Sequence, residues 1–157
     1  MRLFQTILLF ASSFAALMLT DANASAQAAK SDSVVKIDST AEKPDADGKQ
    51  LVILKFTIDD GWHLYANPVP KDFPGIPLEV KFNGKTKPAT FKVDYPVGKE
   101  VKDVDTGTYK IYEGKAEVKL TVQRAKDDTG PLELSVKLQA CTDKKCLLPA
   151  TVKVSVP

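Results

Sequence analysis

Residues 116–122 have the sequence Ala-Glu-Val-Lys-Leu-Thr-Val, in which apolar and polar side chains alternate one by one. The same alternation returns at 134–140, Leu-Ser-Val-Lys-Leu-Gln-Ala, and at 152–156, Val-Lys-Val-Ser-Val. A repeat of two residues places successive side chains on opposite faces of an extended chain, whereas a helix needs a repeat of about 3.6. The three stretches therefore predict β-strands with one buried and one solvent-facing side.

Six further segments upstream have the composition of short strands. Turn-forming pairs such as Asp47-Gly48 and Asn83-Gly84 lie between them, and no segment carries a sustained helical stripe. Nine short strands separated by turns favour an all-β fold, and we predict an immunoglobulin-like sandwich of two antiparallel sheets. The six segments are 33–38, 51–58, 62–66, 76–82, 89–94 and 108–112.

Two longer stretches, 67–77 and 95–107, interrupt the strand pattern. The first contains four prolines, and the second begins with Tyr-Pro-Val-Gly. Functional residues are often carried on loops that a rigid sheet holds in place. Both stretches are therefore candidates for the architecture of a functional site.

The N-terminus has the organisation of a secretory signal. Arg2 is followed by an apolar run at 3–19 and then by small-residue Ala-x-Ala sites. A membrane anchor is the alternative, but a run of about 17 residues is at the lower limit for a transmembrane helix. We therefore predict a signal peptide at 1–26, with cleavage somewhere in 24–28, and an exported protein.

Downstream of the signal, the composition is that of an ordinary globular domain. Hydrophobic residues make up 43% of the chain, and 22 Lys and Arg stand against 20 Asp and Glu. Because charges of both signs are interspersed, we predict no nucleic-acid partner. The segment 27–32 is small and polar, so we predict a flexible leader there, followed by one domain at 33–157.

Cys141 and Cys146 are the two cysteines of the chain. In the oxidising compartment that export implies, such a pair most simply forms a disulfide. The polar residues 142–145 between them suit a hairpin. A loop this short stabilises a fold by about 2 kcal/mol in the chain-entropy model, less than a bridge between distant segments. The spacing leaves two interpretations open, a structural staple and a redox site.

Other site chemistries lack the residues that they need. A zinc site takes about four ligands, and a blue-copper site takes two histidines with a cysteine and usually a methionine. His63 is the only histidine, and both methionines, Met1 and Met18, fall in the predicted signal. We therefore predict no metal and no cofactor. Any Ser-His or Cys-His catalysis would have to use His63. His63 shares a predicted strand face with Tyr65, and two interpretations remain open: a plain surface or partly buried histidine, or a residue that with Tyr65 borders the functional loop.

Three sequence blocks follow one another in a characteristic order. The first is Asp-Gly-Trp-His-Leu-Tyr-Ala-Asn-Pro at 60–68, and the second is Tyr-Glu-Gly at 112–114 followed by an alternating strand. The third and most specific, at 138–152, contains the spacing Gln-Ala-Cys-x-Asp-x-x-Cys-x-x-Pro. Over about residues 33–157 the chain thereby resembles the N-terminal, immunoglobulin-like periplasmic domain of the thiol:disulfide interchange protein DsbD family.

This resemblance implies a role for the cysteines in redox chemistry. Cys146 would be the attacking or mixed-disulfide sulfur, and Cys141 would resolve the mixed disulfide. His63 and Tyr65 fall where the family places tyrosines beside the cysteines. A protonated imidazole at that position would stabilise a nearby thiolate.

The family also shields its cysteine pair with a cap loop that carries an aromatic side chain. The corresponding segment here is 102–109, in which Asp103 matches an acidic cap position. The cap phenylalanine would fall near Asp105, so that feature is missing, and Tyr109 is the candidate substitute.

The function implied by the resemblance is a periplasmic thiol-disulfide exchange module, a candidate protein-disulfide reductase. Its electron donor would be a membrane-embedded thiol transporter or a thioredoxin-like exported protein, and periplasmic proteins with disulfides would accept the electrons. The family protein continues into a transmembrane conduit and a thioredoxin-like domain, whereas this sequence ends at Pro157, so we expect a separate protein to supply the reductant. The alternative is a non-enzymatic exported binding module with a structural disulfide.

Overall fold

A computed structural model describes residues 28–125, 128 and 130–157, and within these residues the chain forms eleven β-strands and one short 3-10 helix, Ser31–Ser33. The predicted signal peptide at 1–26 lies outside the described residues. No helix in the described part of the chain is long and apolar enough to cross a membrane. The strands are β1 (Val35–Ala41), β2 (Lys49–Ile58), β3 (His63–Tyr65), β4 (Glu79–Phe82), β5 (Thr90–Asp94), β6 (Lys99–Asp103), β7 (Gly107–Glu113), β8 (Lys115–Gln123), β9 (Leu132–Leu138), β10 (Ala140–Cys141) and β11 (Ala150–Val156).

The strands pair in three antiparallel sheets. The first has the order β1-β2-β8-β5, the second β11-β9-β4 and the third β10-β3-β7-β6. The predicted all-β, immunoglobulin-like class is confirmed, and each of the nine predicted segments overlaps an observed strand. The structure has three sheets and not the expected two, because β10, which ends at Cys141, forms a separate hydrogen-bonded sheet with β3, β7 and β6.

Two single-residue breaks explain how the third sheet arises. Gly114 has a φ of +63° and separates β7 from β8, so the chain leaves the third sheet and enters the first. Gln139 separates β9 from β10, so the chain leaves the second sheet and enters the third. The prediction of one continuous strand at 134–140 was therefore wrong at Gln139. Strands that bend from one sheet into another are the usual way in which sandwich corners are made.

Strand β6 is a second departure from the prediction, which placed 95–107 in an irregular stretch. Four of its five residues are charged, and Val101 is the one apolar side chain. The strand lies at the edge of the third sheet and pairs with β7 from Lys99 opposite Ile111 to Asp103 opposite Gly107. Charged side chains are common on edge strands, so the apolar alternation that identifies central strands is absent here.

The hydrophobic core follows the alternation seen in the sequence. Strands β2 and β8 pair directly in the first sheet and direct every second side chain inward. Each fully buried Leu, Val or Phe side chain contributes roughly 1.5–3 kcal/mol through removal of apolar surface from water. The inward residues of these two strands are Val52, Leu54, Phe56, Val118, Leu120 and Val122, all at most 1% exposed.

The end of the predicted leader packs onto the domain. Lys30 forms an isolated parallel bridge with Leu148, and Ser31 is fully buried. The Ser31 hydroxyl donates to the Leu148 carbonyl over 2.7 Å and accepts from the Ala140 amide over 2.9 Å, which compensates the burial of a polar side chain. The flexible leader expected at 27–32 therefore does not extend to Ser31, which is part of the packed structure.

Candidate redox site

Cys141 and Cys146 are joined by a disulfide at the end of the third sheet. Cys141 is the last residue of β10 and is fully buried, whereas Cys146 is exposed. The intervening turn is held by Thr142, whose amide donates to the Lys145 carbonyl over 2.7 Å and whose hydroxyl accepts from the Lys145 amide over 3.1 Å. The pair therefore presents one accessible and one inaccessible cysteine.

His63 lies directly across from Cys141 in the pairing of β3 with β10. Residues opposite each other in an antiparallel pair have Cβ atoms about 4.5–5.5 Å apart and project from the same face. The imidazole is thus a neighbour of the buried cysteine, and it is itself 8% exposed. The sequence placed His63 beside the cysteines by resemblance, and the register brings them together.

Burial holds the pKa of His63 below its ordinary value, because desolvation disfavours the imidazolium. The carboxylates of Asp143 and Glu113 oppose this shift, and Lys99 adds to it. Glu113 lies opposite His63 in β7, but its carboxylate also accepts from Lys99 over 2.8 Å, so its charge is shared. The oxidised site therefore favours a neutral imidazole.

The Tyr65 ring packs against His63, and two further aromatic rings pack against Tyr65. The Tyr65 ring lies edge-on to His63 with centroids 5.5 Å apart, and it also contacts Phe73 at 4.8 Å and Tyr109 at 5.7 Å. Phe73 and Tyr109 complete the group at 5.0 Å. We call Tyr65, Phe73 and Tyr109 the ring cluster. The structure brings the predicted residues Tyr65 and Tyr109 together, and burial raises the pKa of both phenols, so they stay protonated at neutral pH.

Phe73 was not singled out from the sequence. It lies on the proline-rich stretch 67–77, which was predicted only as site architecture. That loop closes tightly on the ring cluster: a Cβ atom at Gly75 would overlap the rings of Tyr65 and Phe73. The sequence offered one signal, an aromatic residue within a proline-rich loop. The contacts of Phe73 with Tyr65 of β3 and Tyr109 of β7 depend on the tertiary structure.

Gln139 connects this loop to the cysteine segment. Its side-chain oxygen accepts from the Ile76 amide, and its side-chain nitrogen donates to the Leu147 carbonyl, each over 3.3 Å. Leu147 directly follows Cys146 in the chain. Gln139, between β9 and β10, therefore ties the loop bearing Phe73 to the segment bearing the exposed cysteine.

Asp103 ends β6 and organises the turn that follows. Its carboxylate accepts from the amide and hydroxyl of Thr106, both over 2.8 Å, and from the Asp105 amide over 3.0 Å. These hydrogen bonds hold the pKa of Asp103 below its ordinary value. The carboxylate is near enough to raise the pKa values of Tyr65 and Tyr109 electrostatically. At the tip of the turn Val104 is 99% exposed, while the aromatic side chain over Tyr65 and Tyr109 comes from Phe73.

Lys145, which precedes Cys146, lies over the ring of Trp62 with its ammonium nitrogen 5.8 Å from the ring centroid. A cation over an indole face is attracted by the ring quadrupole. Trp62 itself packs against the hydrophobic core and adjoins His63 in sequence. The contact therefore restrains a positive charge next to the exposed cysteine.

The comparisons with known proteins agree with this geometry. A model of the family described as "Thiol:disulfide interchange protein DsbD, N-terminal" matches residues 26–157. Among solved structures, the reduced DsbD N-terminal domain of Neisseria meningitidis is similar at 19% identity and a TM-score of 0.54, covering 80% of this chain and 86% of that one.

Two further solved structures share the fold. A complex between the DsbD and PilB N-terminal domains of Neisseria meningitidis matches at 18% identity and a TM-score of 0.54, covering 77% of this chain and 80% of that one. The N-terminal periplasmic domain of ScsB from Proteus mirabilis matches at 15% identity and a TM-score of 0.59, covering 78% of this chain and 47% of that one. No match to the chain was found among curated proteins.

Proposed function

Because the chain belongs to the family of DsbD N-terminal domains, we propose that it is a thiol-disulfide exchange module that passes reducing equivalents through Cys141 and Cys146. The observation that carries the proposal is the disulfide itself, with one exposed and one buried cysteine, inside the region that the family matches. An accessible sulfur beside an inaccessible partner suits attack at one defined atom.

A purely structural role for the disulfide is less well supported. The turn at 142–145 already has its own hydrogen bonds, and the backbone amide of Leu147 donates to the Ala140 carbonyl over 2.9 Å. Closing so short a loop contributes only about 2 kcal/mol in the chain-entropy model. The bridge therefore joins residues that the fold already holds close together, which favours redox chemistry over stapling.

The exchange proceeds through a mixed disulfide. A donor thiolate attacks Sγ of Cys146, the donor–Cys146 bond forms, the Cys141–Cys146 bond breaks, and Cys141 leaves as a thiolate. A second donor thiolate then attacks the donor sulfur of the mixed disulfide and releases Cys146. The donor ends as a disulfide, and the domain has gained two electrons and takes up two protons. In the reverse direction, Cys146 attacks the disulfide of an acceptor, and Cys141 attacks Cys146 to release the reduced acceptor.

The neighbouring side chains support these steps. Lys145 favours the thiolate of Cys146, whereas Asp143 opposes it. His63 stands opposite Cys141, and by taking up a proton its imidazole would stabilise the thiolate that leaves from a buried position, where water offers little solvation. Tyr65 of the ring cluster packs against His63, and Asp103 fixes the turn beside the two tyrosines.

The family and its solved neighbours support a proposal for location and partners. We place the domain in the periplasm after export, with the predicted signal peptide at 1–26. A thioredoxin-like exported protein or a membrane-embedded thiol transporter would donate electrons, and periplasmic proteins with disulfides would accept them. One solved neighbour is in complex with another protein's domain, and another is a periplasmic domain, which supports this assignment.

The test is the redox equilibrium of the folded domain, followed by electron transfer. The oxidised domain, mixed with a reduced thioredoxin, is expected to become reduced within minutes, and the reduction potential against glutathione should lie above about −300 mV. A potential well below this value, together with no transfer from thioredoxin, would assign the chain to the alternative, an exported binding module with a structural disulfide.

A further inference from the structure

Ser31 contacts both ends of the segment that carries the disulfide. Its hydroxyl accepts from the amide of Ala140, one residue before Cys141, over 2.9 Å. The hydroxyl and the amide of Ser31 both donate to the carbonyl of Leu148, two residues after Cys146, over 2.7 and 2.9 Å. One buried residue, more than 100 positions away in sequence, therefore closes the base of the 140–148 segment.

Neighbouring backbone contacts reinforce this closure. The Leu148 amide donates to the Ala29 carbonyl over 3.2 Å, and Lys30 pairs with Leu148 in a parallel bridge. The N-terminal residues 29–31 therefore run beside the chain that follows Cys146. This arrangement explains why a small polar side chain is fully buried at position 31.

We propose that Ser31 is a positioning residue of the redox site, which holds Cys141 and Cys146 within reach of each other when their disulfide is open. The inference rests on the proposed thiol-disulfide exchange. It assigns to the N-terminal segment a role in setting the reduction potential and the rate at which Cys141 resolves a mixed disulfide at Cys146.

The physical argument compares the two redox states. In the oxidised domain the disulfide closes the loop, so the hydrogen bonds of Ser31 add little further restraint to the cysteines. In the reduced domain that covalent restraint is gone, and the contacts of Ser31 are among those that limit the separation of the two sulfurs. Removing the Ser31 hydroxyl removes a restraint that acts mainly on the open loop. The reduced state then gains conformational freedom, so the equilibrium shifts towards the reduced state. The Ser31 hydroxyl should therefore raise the effective concentration of one thiol at the other.

Ser33 provides a matched control in the same helical turn. Its hydroxyl donates to the Lys30 carbonyl over 2.7 Å, and the residue is exposed, whereas Ser31 is fully buried. Ser33→Ala removes the same atom from the same turn without touching the 140–148 segment. The two variants therefore separate the closure of the redox segment from the stability of the helical turn.

The experiment is the equilibrium of each variant with glutathione, at a temperature where Trp62 fluorescence shows both redox forms to be folded. Ser31→Ala is expected to lower the effective concentration of the cysteine pair about tenfold, which makes the potential about 30 mV less negative. Ser33→Ala should stay within about twofold of the wild type. Equal potentials for the folded Ser31→Ala and Ser33→Ala variants would overturn the proposal.

Amide exchange in the wild-type domain gives a second test that needs no variant. If Ser31 holds the segment after reduction, the Ala140 amide stays protected in the reduced domain, while the amide of Lys144 in the exposed turn exchanges quickly. Loss of Ala140 protection on reduction would show that the contact opens with the disulfide, and would overturn the inference. Neither measurement requires a protein partner, so a failure of electron transfer from thioredoxin would refute the proposed function separately.

Discussion

His63 faces Cys141 across the β3–β10 pairing, and both residues are buried while the disulfide is formed. Folding favours the neutral form of His63, which lies beside the cysteine that must leave as a thiolate. The protonation of the site is therefore linked to its redox chemistry. The charged groups around the imidazole are Asp143, Glu113 and Lys99, so its protonation responds to the third sheet and to the cysteine turn together.

The lowered pKa of His63 predicts how stability depends on pH. Because the unfolded chain binds a proton at a higher pH than the folded one, unfolding takes up protons on acidification. The stabilisation is present above the ordinary histidine pKa of about 6.5 and is lost as the pH falls towards the folded value. Urea unfolding at pH 7.5 and 5.5 should show a lower free energy of unfolding at pH 5.5, and His63→Gln should flatten this difference. An equal pH dependence in His63→Gln would assign the effect to other groups.

Phe73 is predicted to shield the site through Tyr65 and Tyr109. Phe73→Ala should lower the free energy of unfolding by about 1–3 kcal/mol and let water approach Tyr65 and His63. The histidine pKa, followed by NMR, should then rise towards its ordinary value, because less desolvation opposes the charge.

Phe91→Ala is the control for this prediction. Phe91 is also partly buried and contacts one other ring, that of Phe82, at 6.1 Å, but it lies in the first sheet. Phe91→Ala should lower the free energy of unfolding by a comparable amount and leave the pKa of His63 unchanged. If both variants moved that pKa equally, Phe73 would have no specific shielding role.

Lys145 is predicted to activate Cys146, because its ammonium group is restrained over Trp62 beside the exposed cysteine. Lys145→Gln should slow the reaction of Cys146 in the reduced domain with a small disulfide by about twofold or more at low salt, because a positive charge that favours the thiolate is lost. The difference should shrink at high salt, since screening weakens exposed charges. Lys144→Gln makes the same charge change in the same turn, and an identical effect would show that the position over Trp62 is irrelevant.

The Leu120→Ala variant tests whether a loss of stability alone changes the reduction potential. Leu120 is fully buried in β8, and Leu120→Ala should cost about 2–5 kcal/mol of unfolding free energy, measured with urea. The substitution lies in the first sheet, whereas the cysteines lie in the third, so the reduction potential should stay at the wild-type value while the variant is folded. A shifted potential would mean that general loosening of the domain, and not local restraint, sets the redox equilibrium.

The alternating segments were predictable because their burial pattern is local. In β8 the side chains at Ala116, Val118, Leu120 and Val122 are buried, as the sequence indicated. The division into three sheets was not predictable, since it depends on breaks at Gly114 and Gln139. In the sequence, Gly114 looks like an ordinary turn glycine, and Gln139 looks like one more outward-facing polar residue in an alternating strand.

The site was predictable only in part for the same reason. The cysteines, His63 and Tyr65 belong to sequence blocks that resemble a family, and the register of β3 and β10 places His63 against Cys141. Phe73 and Ser31 reach the site from distant segments through a ring contact and two hydrogen bonds, and neither leaves a periodic signature in the sequence.

Trapping of the mixed disulfide tests the central claim most directly. Cys141→Ser and Cys146→Ser differ only in which sulfur remains. Each is incubated with a thioredoxin-like protein that keeps only its attacking cysteine, activated as a mixed disulfide with thionitrobenzoate, and is analysed by non-reducing electrophoresis and mass spectrometry. We predict that Cys141→Ser, which keeps the exposed Cys146, displaces thionitrobenzoate and accumulates a stable mixed disulfide, because neither protein keeps a second thiol that could resolve it, whereas Cys146→Ser accumulates little. Adduct formation at Cys141 alone, or at neither cysteine in a folded domain, would contradict the account.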